Sequence, residues 1–445
     1  MNNIKERTLI TDISRLTNED FKNFYSSFIP KILELQTTLS KASSELEYFK
    51  WLDFDYLLKT NISTKKLAKE KKNFKTVLVI GMGGSGINSL VLKNALYEFA
   101  PLAKRKSDIN LIIQNNLDTS SMLSRLESLD LNDTLLLIIS KSGGTDEVRR
   151  NLNTIINYWQ SKSTFNPVKL ATNSVIITEP PQEGKKNFLH DYAAELKKLT
   201  GIDVAYLEND PNIGGRFSMF SPVGMLSAEL MGIDSDLLIH AAKQVFDDFI
   251  KVKAEDNTLA KLAALDIYYA RKNITNRYSM VYSDSLEALN KFRAQLKGES
   301  LNKNSIDSTV HIPGIGTVNH HSDLELLLKT NNGVILEQVY FASPFADHVN
   351  SSTFDCLKDL ESSSNHQTLI DKHVKPLAEY ISNTGAPVIQ TILAEQEETS
   401  IAKFCMQDML VTVVQAGMQD EIESNVKLDL AIRQWEVERY KKSVK

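Results

Sequence analysis

The sequence predicts an α/β protein: two doubly wound parallel-sheet units in tandem, with helices at the N-terminal and C-terminal ends. Three observations predict it. Short β-branched and aliphatic runs alternate with helix-period segments, first over about 77–207 and again over about 278–393. The first run, Val77–Ile80, ends abruptly in Gly81, Gly83, Gly84 and Gly86, and helix formers follow it. The chain has 445 residues, 42% hydrophobic and 24% charged, which is room for about two or three ordinary domains.

Residues 1–60 read as helical, with apolar positions at mixed three- and four-residue spacing (Phe21, Phe24, Tyr25, Phe28, Ile32, Leu35) and a second helix over Ser44–Leu58. The lysine-rich 65–75 reads as a solvated helix or linker. Strands are expected at Val77–Ile80, Ile109–Gln114, Thr134–Ser140, Val175–Thr178 and Val204–Leu207, with helices over Ser120–Leu129 and Asp146–Trp159. Helical stretches at 234–251 and 256–272 precede a second series of strands, Tyr278–Tyr282, Val310–Ile312, Val334–Phe341 and Val388–Leu393. Final helices are expected over 397–416 and 421–442. The boundaries that follow are a helical segment at 1–60, α/β domains at 61–245 and 246–430, and a helix end at 431–445. In such sheets ligands bind at the carboxyl ends of strands, where strand order reverses.

A formal net charge of -5 supplies no global basic field, which argues against nucleic acid as the main partner. Only Cys356 and Cys405 occur, the N-terminus MNNIKERTL has no apolar core, and no run approaches the ~18 apolar residues of a membrane span. A reducing, cytoplasmic setting is the expectation.

Two loops carry the anion chemistry. Gly81-Met82-Gly83-Gly84-Ser85-Gly86 lies between a strand and a helix N-terminus, where backbone amides turn toward an anion. It formally matches the dinucleotide fingerprint G-x-G-x-x-G. That fingerprint also wants an acid at the end of the second strand; Gln114-Asn115-Asn116 stands there, and Asp118 comes two residues late. The second loop, Ser140-Lys141-Ser142-Gly143-Gly144-Thr145, directly follows the run TLLLII. Hydroxyls, amides and a lysine at a strand's carboxyl edge suit a phosphate monoester. Two such loops one βαβ unit apart suggest one phosphate held between them, with no nucleotide.

With these motifs in view, the chain resembles the glucose-6-phosphate isomerase (phosphoglucose isomerase) family, built from two sugar-isomerase domains. IGMGGS matches the family's IGIGGS, and SKSGGTDEV loosely matches its SK-T-x-T-T-x-E-T. GGRFSMFSPVGMLSAELMGID at 214–234 resembles the family signature GGRFSxxSxVGLLPxxxxGID almost throughout. QLKGES at 295–300 resembles Q-x-x-x-E-S, and GIGTVNHHSDLELLL at 314–328 resembles G-T-x-x-x-H-S-x-x-Q.

The resemblance implies a cofactor-free and metal-free aldose–ketose isomerase that interconverts glucose 6-phosphate and fructose 6-phosphate through a cis-enediol. Gly83, Gly84, Ser85, Ser140, Lys141, Ser142 and Thr145 would hold the phosphate, and Glu299 would carry the proton. Arg216 would stabilise the enediolate without giving up its own proton. Gln295 would contact the sugar or orient Glu299. Of the adjacent His320 and His321, the following Ser322 favours His321 for ring opening, and in the family this residue comes from the partner subunit, which implies a homodimer. The family's ring-opening lysine corresponds best to Lys427, four residues after Glu423 where the family has three. Rival functions are a phosphosugar isomerase with mannose 6-phosphate activity and a sugar-phosphate-binding regulator without turnover; a nicotinamide-dependent dehydrogenase is disfavoured by the missing acid.

Overall fold

The computed structural model describes residues 9–41, 47–100, 105–301, 307–329, 333–343 and 369–419. In chain order it runs β1 (Leu9–Asp12), α1 (Glu19–Ser26), α2 (Ile29–Ser40), α3 (Phe54–Lys71), β2 (Thr76–Gly81), α4 (Gly84–Lys93), β3 (Asn110–Gln114), α5 (Thr119–Glu127), β4 (Thr134–Ile139) and α6 (Asp146–Gln160). There follow α7 (Pro167–Thr172), β5 (Ser174–Thr178), α8 (Phe188–Thr200), β6 (Ala205–Glu208), α9 (Pro222–Leu230), α10 (Ser235–Lys251), α11 (Thr258–Arg271) and β7 (Asn276–Val281). The remainder is α12 (Glu287–Ser300), β8 (Val310–Ile315), α13 (Leu324–Lys329), β9 (Val334–Ser343), α14 (Lys375–Asn383), β10 (Val388–Glu395) and α15 (Glu398–Met418).

The chain divides into two compact units, Ala42–Glu98 with Leu102–His240, and Met1–Lys41 and Phe99–Pro101 with Ala241–Lys445. The first holds a five-stranded sheet of order β3-β2-β4-β5-β6, parallel throughout. Strands β2 and β4 are buried along nearly their whole length because helices cover both faces, which is why they read as unbroken apolar runs. One face packs Leu78, Ile80, Leu136 and Ile138 against Val148, Leu152, Ile155 and Trp159 of α6, an i, i+4, i+7, i+11 stripe. Strand order reverses between β2 and β4, whose registered ends are Gly81 and Ile139.

The second unit has order β1-β10-β9-β7-β8, with β7 to β10 parallel and β1 antiparallel to β10. Every strand expected from the sequence is present, with ends moved by at most three residues. Strand β1 was not expected: residues 1–60 read as helical, whereas Leu9–Asp12 pairs with Gln390–Leu393. Four residues carry no periodicity of their own, and pairing to the sheet edge decides their conformation. The helix expected over Ser44–Leu58 is also displaced. A 3-10 segment spans Glu47–Leu52, Asp53 caps Tyr56, and the helix runs on into the lysine-rich stretch as far as Lys71. The expected helix at 421–442, the helix end at 431–445 and Cys356 lie outside the described residues. No helix among the described residues is long and apolar enough to cross a membrane.

Candidate active site

Both glycine-bearing loops of the first unit leave adjacent strands at the same sheet edge. Gly81–Gly83 follows β2 and opens α4; Ser140–Thr145 follows β4 and opens α6. Each helix is at least ten residues long, so two amide-rich N-termini converge at the switch point. Ser85 lies in the first turn of α4, half-buried.

The second loop is built rather than loose. The Ser140 and Thr145 hydroxyls lie 2.9 Å apart, and the Gly144 amide donates to Ser142 Oγ at 3.2 Å. The Lys141 carbonyl accepts from the Glu179 amide at 2.9 Å and from Thr178 Oγ1 at 3.1 Å, which fixes the loop to the end of β5. Gly143 has φ +64, and a Cβ there would sit 1.8 Å from Asn187 Oδ1. Only glycine fits, on both counts. Burial pushes the Lys141 ammonium below its ordinary value, the Glu179 and Asp210 carboxylates oppose that shift, and Lys185 adds to it. An incoming phosphate dianion would favour the charged form.

Arg216 belongs to the same unit. It lies in the 3-10 turn Gly215–Phe217 and is 2% exposed. The first glycine loop is seated directly on that turn: a Cβ on Gly84 would meet Gly215 O at 2.0 Å and Arg216 N at 2.9 Å. Gly84 therefore lets the α4 N-terminus approach the Arg216 backbone. Ser218, just beyond, accepts from Asn88 Nδ2 of α4 at 3.0 Å and ties turn and helix together. The close approach is reserved by Gly84 and not by Gly215, where an added Cβ would meet nothing within 4 Å, and Trp51 stacks on Phe217 at 4.8 Å to hold the turn from behind.

The second unit carries Gln295, Glu299 and the histidine pair. Glu299 lies inside the last turn of α12, which persists to Ser300 because Leu301 N still bonds Lys297 O. Gln295 Nε2 donates to Glu299 Oε1 at 3.0 Å, an i, i+4 pair that orients the carboxylate.

His320 and His321 lie in the 3-10 turn Val318–His321 that follows β8. His320 is half-buried, with Nε2 3.0 Å from Tyr282 Oη, which also accepts from Gln338 Nε2 at 3.2 Å. Burial, then His373 and His321, lower the His320 pKa from its ordinary value. His321 is exposed. The loop beneath is fixed: Asp323 accepts from Tyr278 Oη and, at 2.6 Å, from Asn319 Nδ2, and Asn319 Oδ1 caps the Ile315 amide at 2.7 Å. Helix α12 joins the end of β7 to the start of the parallel β8, so Glu299 lies at the amino edge of this sheet and His321 at its carboxyl edge. The 14 residues of α12 span about 21 Å.

The structure therefore gathers Gly83, Gly84, Ser85, Ser140, Lys141, Ser142, Thr145 and Arg216 in one unit, pairs Gln295 with Glu299 in the other, and sets His321 apart from that pair along the same sheet. Lys427 lies outside the described residues. Sequence reasoning missed Asn187, Glu179 and Tyr282, which support the loops; the only local signal was Asn187 as a helix N-cap. No group of three metal-ligating side chains occurs among the described residues.

Comparison with known proteins places this arrangement among relatives. A model of the family described as phosphoglucose isomerase matches residues 57–318. A glucose-6-phosphate isomerase of Rubrobacter xylanophilus is 29% identical over 261 residues, 58% of this chain and 57% of the relative. The match thus spans less than two thirds of that relative's length. A glucose-6-phosphate isomerase of Methanocaldococcus jannaschii is 26% identical over 337 residues, 75% of this chain and 76% of the relative. Among solved structures, a hypothetical protein of Thermus thermophilus superposes with a TM-score of 0.82 at 21% identity, covering 98% of each chain. A glucose-6-phosphate isomerase of Chlamydia trachomatis gives a TM-score of 0.76 at 16% identity, covering 100% of this chain and 90% of that one. These two share the fold.

Proposed function

We propose, from the premise that the chain belongs to the phosphoglucose isomerase family, that it interconverts glucose 6-phosphate and fructose 6-phosphate. The hydroxyls of Ser85, Ser140, Ser142 and Thr145, the amides at Gly83 and Gly84, and the Lys141 ammonium hold the phosphate. His321 of a partner subunit opens the ring, assisted by Lys427. Glu299 then takes the proton from C2 and returns it to C1, with its carboxylate oriented by Gln295, while the permanently charged Arg216 stabilises the enediolate oxygen. The enzyme would act in glycolysis or gluconeogenesis as a cytoplasmic homodimer without a cofactor. The placement of Glu299 and His321 at opposite edges of one sheet supports the two-subunit reading.

One observation carries the proposal. Two anion-binding turns leave adjoining strand ends, and the first is seated on the backbone that positions Arg216. This supports a reading in which a phosphate gripped by both turns would bring the sugar to a unit that also holds the buried Arg216. A coupled assay of fructose 6-phosphate conversion by wild type and Glu299→Gln, with calorimetric binding of the sugar phosphate, tests it. The variant is expected to lose about 10²–10⁴-fold in kcat while still binding. Equal rates would remove Glu299 from the mechanism, and binding without turnover in wild type would identify a regulator.

A further inference from the structure

Three cations and three carboxylates are enclosed in the second unit, none more than 5% exposed at the side chain: Arg277, Arg293, Lys297, Asp266, Glu337 and Asp408. Arg293 pairs with Glu337 at 2.8 Å and Asp408 at 2.7 Å; Lys297 pairs with Asp266 at 2.9 Å; Arg277 bridges Asp266 at 2.8 Å and Glu337 at 3.1 Å. The charges cancel. The carboxylates come from α11, β9 and α15, while Arg293 and Lys297 both come from α12. A third tie lies on the same stripe: Asn290 donates to Ser279 O at 2.7 Å and Gly314 O at 3.2 Å, and lies 2.9 Å from His311 Nε2.

Stability alone does not account for such a network, since a buried ion pair is commonly no better than well-packed apolar residues of the same volume. What it does supply is registration. Asn290, Arg293 and Lys297 follow i, i+3, i+7 spacing and form one face of α12, whereas Gln295, two residues from each clamp cation, and Glu299, two residues beyond Lys297, lie on the opposite face. With side-chain tips about 5–6 Å from the axis, rotating the helix by about 10° would carry the Glu299 carboxylate about 1 Å. A displacement of that size can cost about 10²-fold in rate.

We infer that the Asp266–Lys297 and Asp408–Arg293–Glu337 pairs are a positioning clamp, which sets the rotation of α12 and through it the placement of Glu299. The catalytic part of this inference rests on the isomerase assignment; the placement of Glu299 does not. Lys297 and Arg293 are positioning residues and touch no substrate.

The test compares wild type, Lys297→Met, and Lys297→Met with Asp266→Leu, following melting temperature, carbodiimide labelling of Glu299 by mass spectrometry, and kcat and KM for fructose 6-phosphate. The single variant is expected to melt lower, and the apolar pair to recover most of that loss. Both are expected to show altered labelling at Glu299 and a kcat reduced by about 10²-fold, with KM little changed. Lys297→Arg, which keeps the charge, should stay nearer to wild type. A double variant that melts, labels and turns over like wild type would overturn the clamp. If that variant does not fold, the nearly isosteric Asp408→Asn, read by the same labelling, decides the matter: unchanged labelling overturns the inference. Were wild type to show no isomerisation at all, the isomerase assignment would fall and labelling would still decide the clamp.

Discussion

The two units share a strand order but place their polar groups in opposite ways. In the first, β3-β2-β4-β5 has an apolar interior, and the chemistry hangs on turns beyond the strand ends. In the second, the equivalent β8-β7-β9-β10 carries His311, Arg277, Glu337 and Gln338 within the strands. The fifth position differs as well: β6 continues the parallel sheet of one unit, and the antiparallel β1 closes the other. On the proposed function, the difference follows from what each unit would hold. An anion grip needs only strand ends, glycines and helix N-termini, all fixed by backbone geometry. A carboxylate at a helix C-terminus needs the helix itself held in rotation, and buried charges do that with directional bonds that apolar contacts lack.

The largest effect that can break this comparison is expected at Arg293. Arg293→Met leaves Glu337 short of a partner and Asp408 without its ion pair, both buried. Removing one partner from a buried pair costs about 3–5 kcal/mol, measurable as a lower midpoint in urea unfolding. A change of comparable size on replacing an apolar strand residue of the first unit would not distinguish the units, so the sharper reading is whether Glu337→Gln in the same chain restores stability.

A smaller loss is expected from Gly143→Ala in the first unit. The added Cβ meets Asn187, and φ +64 is unfavourable for alanine; such backbone strain costs about 1–3 kcal/mol. Weaker binding of inorganic phosphate should accompany it. Adding Asn187→Ala should relieve the contact but not the dihedral cost, and full recovery would show that strain is not what reserves the position for glycine.

The smallest expected effect is in pH dependence. Burial, then the Arg293 and Lys297 cations, push His311 well below its ordinary value. The unfolded chain takes up the proton below about pH 6.5 and the folded chain resists it. This contribution to stability is therefore complete above that pH and lost as pH falls through it. Wild type should lose melting temperature between about pH 7 and 5, and His311→Gln should lose less over the same interval. No such histidine term is expected from the first unit's sheet, whose strands contain no histidine.

Much of the molecule was legible in the chain. Fully covered parallel strands have no polar face, so runs such as Thr134–Ile139 announce themselves. The two glycine- and hydroxyl-bearing turns were legible because their residue types act locally. The seating of Gly84 on Gly215 was not, since the two positions are distant in sequence. Glu299 was found by its motif, whereas its place in the last turn of α12 is seen only in the structure. Nothing in the sequence singled out Lys297 and Arg293; their burial among carboxylates does.

By itself, the sequence determined the alternation of strands and helices and the positions of the two glycine-bearing turns, because hydrophobic period and glycine conformational freedom act within a few residues. Tertiary structure alone decided that Leu9–Asp12 becomes an edge strand, that Gly84 approaches the Arg216 backbone, and that six charges close on one another around α12. Each of those requires partners brought together from separate stretches of chain, and a buried charge is stable only where its counter-charge is delivered.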